Sequence, residues 1–342
     1  MKYKQYPSYK DSGVEWLGGV PNGWEANKLK YILTLQTEKE TIDKQQVVAL
    51  ENIESWSGKH IKTDAKYQGG DVAFKKGDIL FGKLRPYLAK VYKCHDFGIA
   101  FGDLLVYRPS RHTVSQFAFY ALISEAFIDI VDGSTYGSKM PRASVEFVSN
   151  MPVAIAPLQE QQTIANYLDK ATDKIDTLIS KQTKLIELLK EKRQAVISNA
   201  VTRGLDSSVA MKDSGVEWLG EIPEHWEVWK MSHAFNTIGS GTTPSSTKEI
   251  YYNGYIPWVT TGELRENTIF GTKKMLTDEA IQDNSSLKLF PINSIVIAMY
   301  GATIGRLGVL GIKATTNQAC CVMTDSSSIK NEYLYYWLMG YR

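Results

Sequence analysis

The chain has 342 residues, 43% hydrophobic and 22% charged, with 39 basic and 37 acidic side chains and a formal net charge of +2. That length suits about two domains of ordinary size, and the composition excludes a chain that is disordered as a whole. The near-neutral balance gives no reason by itself to expect nucleic acid, which only a local basic cluster could bind. Cys94, Cys320 and Cys321 are too few and too odd in number for a disulfide framework. The opening "MKYKQYPSYK" lacks the apolar core of a signal peptide, and no stretch approaches the ~20 apolar residues of a membrane span. A cytoplasmic protein without membrane contact is the expectation.

The first element is said twice. "KDSGVEWLGGVPNGWE" (10–25) returns as "KDSGVEWLGEIPEHWE" (212–227), identical at twelve of sixteen positions and offset by 202 residues. Such a period is far too long for a solenoid and reads as a duplicated domain. Each copy has an Asp-Ser-Gly turn, then two tryptophans around a proline. Trp16, Trp24, Trp218 and Trp226 are expected to pack the opening segment onto its own domain.

"FKKGDILF" (74–81) matches "FPINSIVI" (290–297) in pattern, now at an offset of 216. Both read as a turn followed by a short apolar strand. "GDILFGKL" nearly spells a phosphate-binding loop, but Leu84 stands where a hydroxyl must reach Mg²⁺, and Asp78–Phe81 reads as a strand. Between Phe74 and Lys93 stand Lys75, Lys76, Lys83, Arg85, Lys90 and Lys93 against the single acid Asp78, with Tyr87 and Tyr92 interleaved. This cluster could neutralise phosphates or read guanine edges. It could equally be a lysine-rich strand edge kept in water.

From Pro157 the chain reads as one long helix, with Gly204 as its stop. Ile164, Leu168, Ala171, Ile175, Leu178, Leu185, Leu189 and Val196 fall at alternating spacings of four and three, with Gln182 and Lys192 in the polar gaps. That is a heptad seam, the mark of a coiled coil. Ile179 and Ile186 widen it. In the second copy, "GSGTTPS" (239–245) reads as a loop, and no acid occurs from Asn284 to Thr324. Thr303, Asn317 and Gln318 there suit base edges or loop hydrogen bonds. No catalytic motif, nucleophile elbow or metal-ligand spacing stands out, and none of the five histidines has a metal-binding spacing.

Taken together these features resemble the specificity (S) subunit of Type I restriction–modification systems. "KDSGVEWLG" followed by Pro and Trp resembles that family's domain start. "GDILFGKLRPYLAKV" resembles a framework strand and loop, and "DGSTYGSKMPRAS" with "PLQEQQTIANYLDK" resembles the domain exit leading into its long helix. "GTTPS", "IPWVTTGEL" and "MYGATIGRLGV" resemble a second type of recognition domain.

The resemblance implies an α/β (α+β) architecture: two duplicated target-recognition domains joined by a long coiled-coil-type helix. The boundaries are 1–156 for the first domain, 157–204 for the helix and 205–342 for the second domain. It further implies a non-catalytic chain that reads a bipartite site in double-stranded DNA. Partner modification subunits would carry S-adenosylmethionine and methylate adenine N6. A restriction subunit using ATP and Mg²⁺ could join to cleave unmodified DNA. No cofactor or metal is expected in the chain itself.

Carried onto this sequence, the expected DNA-binding residues are Lys83, Arg85, Tyr87, Lys90, Thr135, Tyr136, Ser138, Lys139 and Arg142 in the first copy. In the second they are Thr242, Thr243, Tyr300, Thr303 and Arg306. The expected subunit interface is Ile164, Leu168, Ile175, Leu178, Ile179, Leu185, Ile186 and Leu189. The family pattern has a second long helix after the second domain, which this sequence lacks, so the chain is read as C-terminally truncated. Self-association through the central helix is then an alternative cover for the seam. A different reading is a truncated scaffold that binds modification subunits without bipartite DNA recognition.

Overall fold

The computed structural model describes residues 5–41, 46–324, 326 and 328–341. Two compact units divide the chain, Met1–Ile179 and Ser180–Arg342. Both are mixtures of short strands and helices, and one 46-residue helix, Leu158–Arg203, contributes its first half to one unit and its second half to the other. At 1.5 Å per residue that helix is about 69 Å long.

The repeated segment folds the same way in each unit. Tyr9–Asp11 pairs antiparallel with Gly19–Pro21, and Met211–Asp213 pairs with Glu221–Pro223 in the same register. The Asp-Ser-Gly turn is an Asx turn: the Asp11 carboxylate accepts the Gly13 N–H at 2.9 Å, and Asp213 accepts that of Gly215 at 2.9 Å. Both glycines sit at φ near +70°, a conformation that costs a side-chain-bearing residue. The tryptophans pack as expected. Trp24 meets Phe117 edge-on at 6.2 Å, and Trp226 meets Tyr333 edge-on at 6.1 Å.

In the first unit Leu33–Gln36, Leu104–Pro109, Ile79–Gly82 and Val91–Lys93 form an antiparallel sheet in that order. Both faces are buried, which explains the unbroken apolar runs "ILF" and "LLVY". Ile79, Phe81, Leu105 and Tyr107 face the helices Ser115–Ile123 and Glu125–Gly133. Leu80, Leu104 and Val106 face the other way, against Val48, Ile53 and Phe74. Asp78, the one acid of the basic stretch, is 2% exposed and is gripped by Arg108 through two hydrogen bonds of 2.9 and 2.8 Å.

The second unit repeats the frame. Ile295–Ala298 and Cys320–Met323 pair with Cys320 opposite Ala298, as Leu104 stands opposite Gly82 in the first unit. Leu307–Leu310 and Asn267–Ile269 extend the sheet on one side, and Ile238–Gly239 closes the other. Helix Asn331–Gly340 follows, displaced by the same 216 residues from Ser115–Ile123.

The long helix is fastened by polar contacts at each end. Gln161, 1% exposed, accepts the Val114 N–H at 2.8 Å and donates to the carbonyl of Ala156 at 2.8 Å. Asp169 accepts from Gln116 and from the Tyr120 hydroxyl, both at 2.7 Å. In the second unit Gln194 donates to the carbonyl of Met339 at 2.9 Å and Ser198 to that of Gly340 at 3.2 Å. Among the described residues no helix is long and apolar enough to cross a membrane.

Removing Arg108 would leave Asp78 charged and buried without its cation. Arg108→Ala is expected to destabilise the first unit by about 3 kcal/mol. Its unfolding midpoint in urea should fall well below that of the unaltered chain.

Candidate nucleic-acid interface

The linear basic cluster does not survive folding as one patch. Lys75 and Lys76 lie in the turn before strand Ile79–Gly82, and Lys93 stands opposite Ile79 at that same end. Lys83 and Arg85 lie beyond the other end, about 13 Å away at the rise of a four-residue strand.

That far end carries a hairpin tip, residues 83–90, closed by a hydrogen bond from Gly82 N to Lys90 O of 2.9 Å. Arg85 (φ 51°) and Ala89 (φ 44°) are both left-handed, flanking a single 3₁₀ turn over Pro86–Leu88. A left-handed conformation costs a non-glycine residue roughly 1–2 kcal/mol, so the surrounding structure must hold it. The holding contacts come from the loop after helix Glu125–Gly133. Arg85 N donates to Pro141 O at 2.8 Å, Ala143 N to Lys83 O at 2.9 Å, and Leu84 bridges to Arg142. Arg142 also bridges to Tyr136 across a tight turn containing Gly137 at φ +92°.

The expected residues take distinct places on this surface. Arg85, Tyr87, Tyr136, Ser138 and Lys139 are exposed and share the tip and the loop beside it. The Arg85 guanidinium reaches the Lys139 carbonyl at 3.4 Å, and neither cation has a carboxylate within salt-bridge distance among the described residues. Lys83 and Arg142 converge on Asp103, at 3.7 and 3.0 Å. The hydrogen bond to Asp103 holds the Arg142 guanidinium above its ordinary pKa. Lys90 turns inward: its ammonium donates to the carbonyls of Leu50 at 2.7 Å and Ile53 at 2.9 Å, and burial pushes its pKa down. The Thr135 hydroxyl is spent on the Asp132 carbonyl at 2.7 Å, at the end of its helix.

The second unit builds the same tip from other residues. Residues 299–306 are closed by Ala298 N to Arg306 O at 2.9 Å, as Gly82 and Lys90 close the first. Met299 N donates to Ala319 O as Lys83 N donates to Asp103 O. The two left-handed positions recur at the same offset, here as Gly301 (φ 86°) and Gly305 (φ 78°). So "KLRPYLAK" and "MYGATIGR" form equivalent hairpin tips, closed alike, with different side chains. Tyr300 and Arg306 are exposed, Thr303 is half-buried, and Arg306 lines an open hollow with Arg265 and Ile304.

Thr242 and Thr243 belong to a neighbouring loop. Thr242 gives its carbonyl to the Trp258 indole N–H at 3.2 Å, and the Thr243 hydroxyl donates to Gln318 at 2.6 Å. Gly241 is pressed so closely on Thr316 that a Cβ would lie 1.8 Å from its carbonyl oxygen. Arg265 was not among the expected residues. The constant offset of 216 through both tips was the signal that would have aligned them.

The expected interface residues divide. Ile164 is packed against Phe117 and Ala165, and Leu168 is half-buried. Ile175, Leu178, Ile179, Leu185, Ile186 and Leu189 are each 54–58% exposed. Leu188 and Val196 are exposed as well. Among the described residues no group of three metal-ligating side chains gathers.

A family model described as "Type I restriction modification DNA specificity domain" matches residues 21–188 and again 223–341. The second match starts 202 residues after the first, the offset of the repeat. The chain therefore belongs to the family of Type I restriction–modification specificity subunits. It is 25% identical, over an alignment of 351 positions, to the putative type I restriction enzyme MjaX specificity subunit of Methanocaldococcus jannaschii, covering 94% of this chain and 77% of that protein. The EcoDI specificity subunit of Escherichia coli is 23% identical over 230 positions, covering 64% of this chain and 49% of that protein.

Among solved structures, a chain from work on complex assembly and conformational transition of the type I R-M system shares the fold. Its TM-score is 0.66 at 16% identity, covering 94% of this chain and 80% of that one. The HsdS subunit from Thermoanaerobacter tengcongensis matches with a TM-score of 0.54 at 16% identity, over 93% of this chain and 80% of that one.

The two tips meet the same left-handed demand with different residues. Gly301→Ala should lower the stability of the second unit by about 1 kcal/mol, while Ala89→Gly should leave the first within about 0.5 kcal/mol. Urea unfolding followed unit by unit checks both.

Proposed function

We propose that this chain reads a bipartite site in double-stranded DNA, one half with each unit. It would direct partner modification subunits to methylate adenine N6, and restriction subunits to cleave DNA that lacks the methyl group. The observation that carries the reading is the duplicated hairpin tip. Two tips closed by the same hydrogen bond, with left-handed residues at the same two positions, present unlike side chains, which is what two readers of unlike half-sites need. Phosphate contacts from lysine and arginine supply affinity and register, and side chains reaching base edges supply sequence preference.

Arg85, with its fork of donors, suits guanine O6 and N7, and Lys139 beside it suits a phosphate. Tyr87, Tyr136 and Ser138 extend the same surface. Tyr300, Thr303, Arg306 and the Thr243–Gln318 pair form the counterpart in the second unit. Lys90 and Thr135 act here as framework, because their polar groups are already engaged by backbone.

The chain works without a catalytic site of its own. The methyl donor, S-adenosylmethionine, belongs to the modification subunit, and ATP and Mg²⁺ belong to the restriction subunit. The cytoplasm, where the chromosome and both partners reside, is its place. The exposed seam from Ile175 to Val196 supports a partner: an apolar stripe of several large side chains is seldom left in water. A modification subunit covers it, or the same helix of a second copy running antiparallel, since an isologous pairing lets one seam serve both chains.

Arg85→Ala should weaken binding of a site-bearing duplex by about 1–3 kcal/mol and relax preference at one base pair. Titrations over a range of salt concentrations check this; unchanged affinity with an unchanged salt slope would remove Arg85 from the interface. Leu178→Asp and Leu185→Asp should each dissociate the assembly with the modification subunit, or the self-associated chain, as read by light scattering. A mass indifferent to both substitutions would count against the seam.

A further inference from the structure

Lys90 apart, four cations stand on the first tip and on the loop that holds it: Lys83, Arg85, Lys139 and Arg142. One carboxylate divides them. Asp103 lies just before strand Leu104–Pro109, where the tip leaves the sheet, and its carbonyl accepts the Lys83 N–H at 3.0 Å. Its carboxylate takes the Arg142 guanidinium in a fork, Nε at 3.2 Å and Nη2 at 3.0 Å, and the Lys83 ammonium at 3.7 Å. Asp132, also beside the tip, accepts the Tyr87 backbone N–H at 3.3 Å.

The Asp103 cluster is open to water. The side chain of Asp103 is 22% exposed, that of Lys83 28% and that of Arg142 40%. Ion pairs so accessible add little to stability. Their effect on a polyanion is larger. Two cations that share one anion present the charge of one, and affinity for phosphates follows the number of charges neutralised, whatever the base sequence. The second unit supports the pairing. At the constant offset of 216, Lys83 becomes Met299 and Asp103 becomes Ala319. The backbone bond is kept, Met299 N to Ala319 O at 2.9 Å, while the cation and the acid are absent together.

We infer that Asp103 is a positioning and charge-masking residue that sets the specificity of the first reader. It withholds Lys83 and Arg142 from indiscriminate phosphate contact. Through Arg142 it also steadies the loop in which Pro141 O accepts the Arg85 N–H and Lys139 O meets the Arg85 guanidinium. Arg85 and Lys139 are then the cations that meet DNA. This role rests on the DNA reading proposed above.

Titration of the full chain with a random-sequence duplex and with a site-bearing duplex, over a range of salt concentrations, tests it. Asp103→Asn keeps the shape of the side chain and removes its charge. It should bind the random duplex more tightly, with a salt slope steeper by about 0.9, the change for one further phosphate neutralised. Preference for the site-bearing duplex should fall about tenfold, within the effect of one mismatched base pair. Lys83→Met together with Asp103→Ala copies the second unit's pair and restores the net charge, so its slope should return to that of the unaltered chain. A purely structural Asp103 would not be rescued by losing its partner. An unchanged or shallower slope in Asp103→Asn would overturn the proposal, and so would a double variant as steep as the single one. Preference relaxed at one base pair with the slope unmoved would make Asp103 a base reader and overturn it as well. An unaltered chain that binds neither duplex, or both alike, would instead sink the DNA reading itself, and this role with it.

Discussion

Each unit stands on a hairpin whose two strands are fixed by burial and pairing. Strands Ile79–Gly82 and Val91–Lys93 are buried on both faces or paired along their length, and so are Ile295–Ala298 and Leu307–Leu310. One backbone hydrogen bond closes each tip, Gly82 to Lys90 and Ala298 to Arg306. Burial on two faces tolerates only apolar residues of fitting size, and the closing bond fixes the span of the loop. Exposed side chains at the tips, such as Arg85, Tyr87 and Tyr300, can differ without cost to the core, whereas Pro86 is buried and Ala89 belongs to the core.

The left-handed pair at each tip is the price of that geometry. The second unit meets it with Gly301 and Gly305, the first with Arg85 and Ala89. Placing arginine at a strained position is unusual where glycine would do. The loop holding Pro141, Arg142 and Ala143 supplies the backbone contacts that keep it there, and Asp103 collects the two neighbouring cations, Lys83 and Arg142. Among the described residues Arg85 and Lys139 have no carboxylate within salt-bridge distance, and both are exposed.

The same division between frame and filling runs through the long helix. Its ends carry residues that bind their own units: Gln161 and Asp169 near one, Gln194 and Ser198 near the other. Its middle carries a row of apolar side chains, among them Leu178, Leu185 and Leu189, that are more than half exposed.

The sequence alone determined the duplication, the heptad seam, the buried strands and the family. These depend on local periodicity and on residue identities repeated at a fixed offset, which need no knowledge of distant contacts. Tertiary structure alone decided which cations are available. Lys83, Arg85 and Lys90 read as equals along the chain, yet one is shared with Asp103, one is exposed, and one is bound to the carbonyls of Leu50 and Ile53. Those partners lie tens of residues away, so no local pattern announces them.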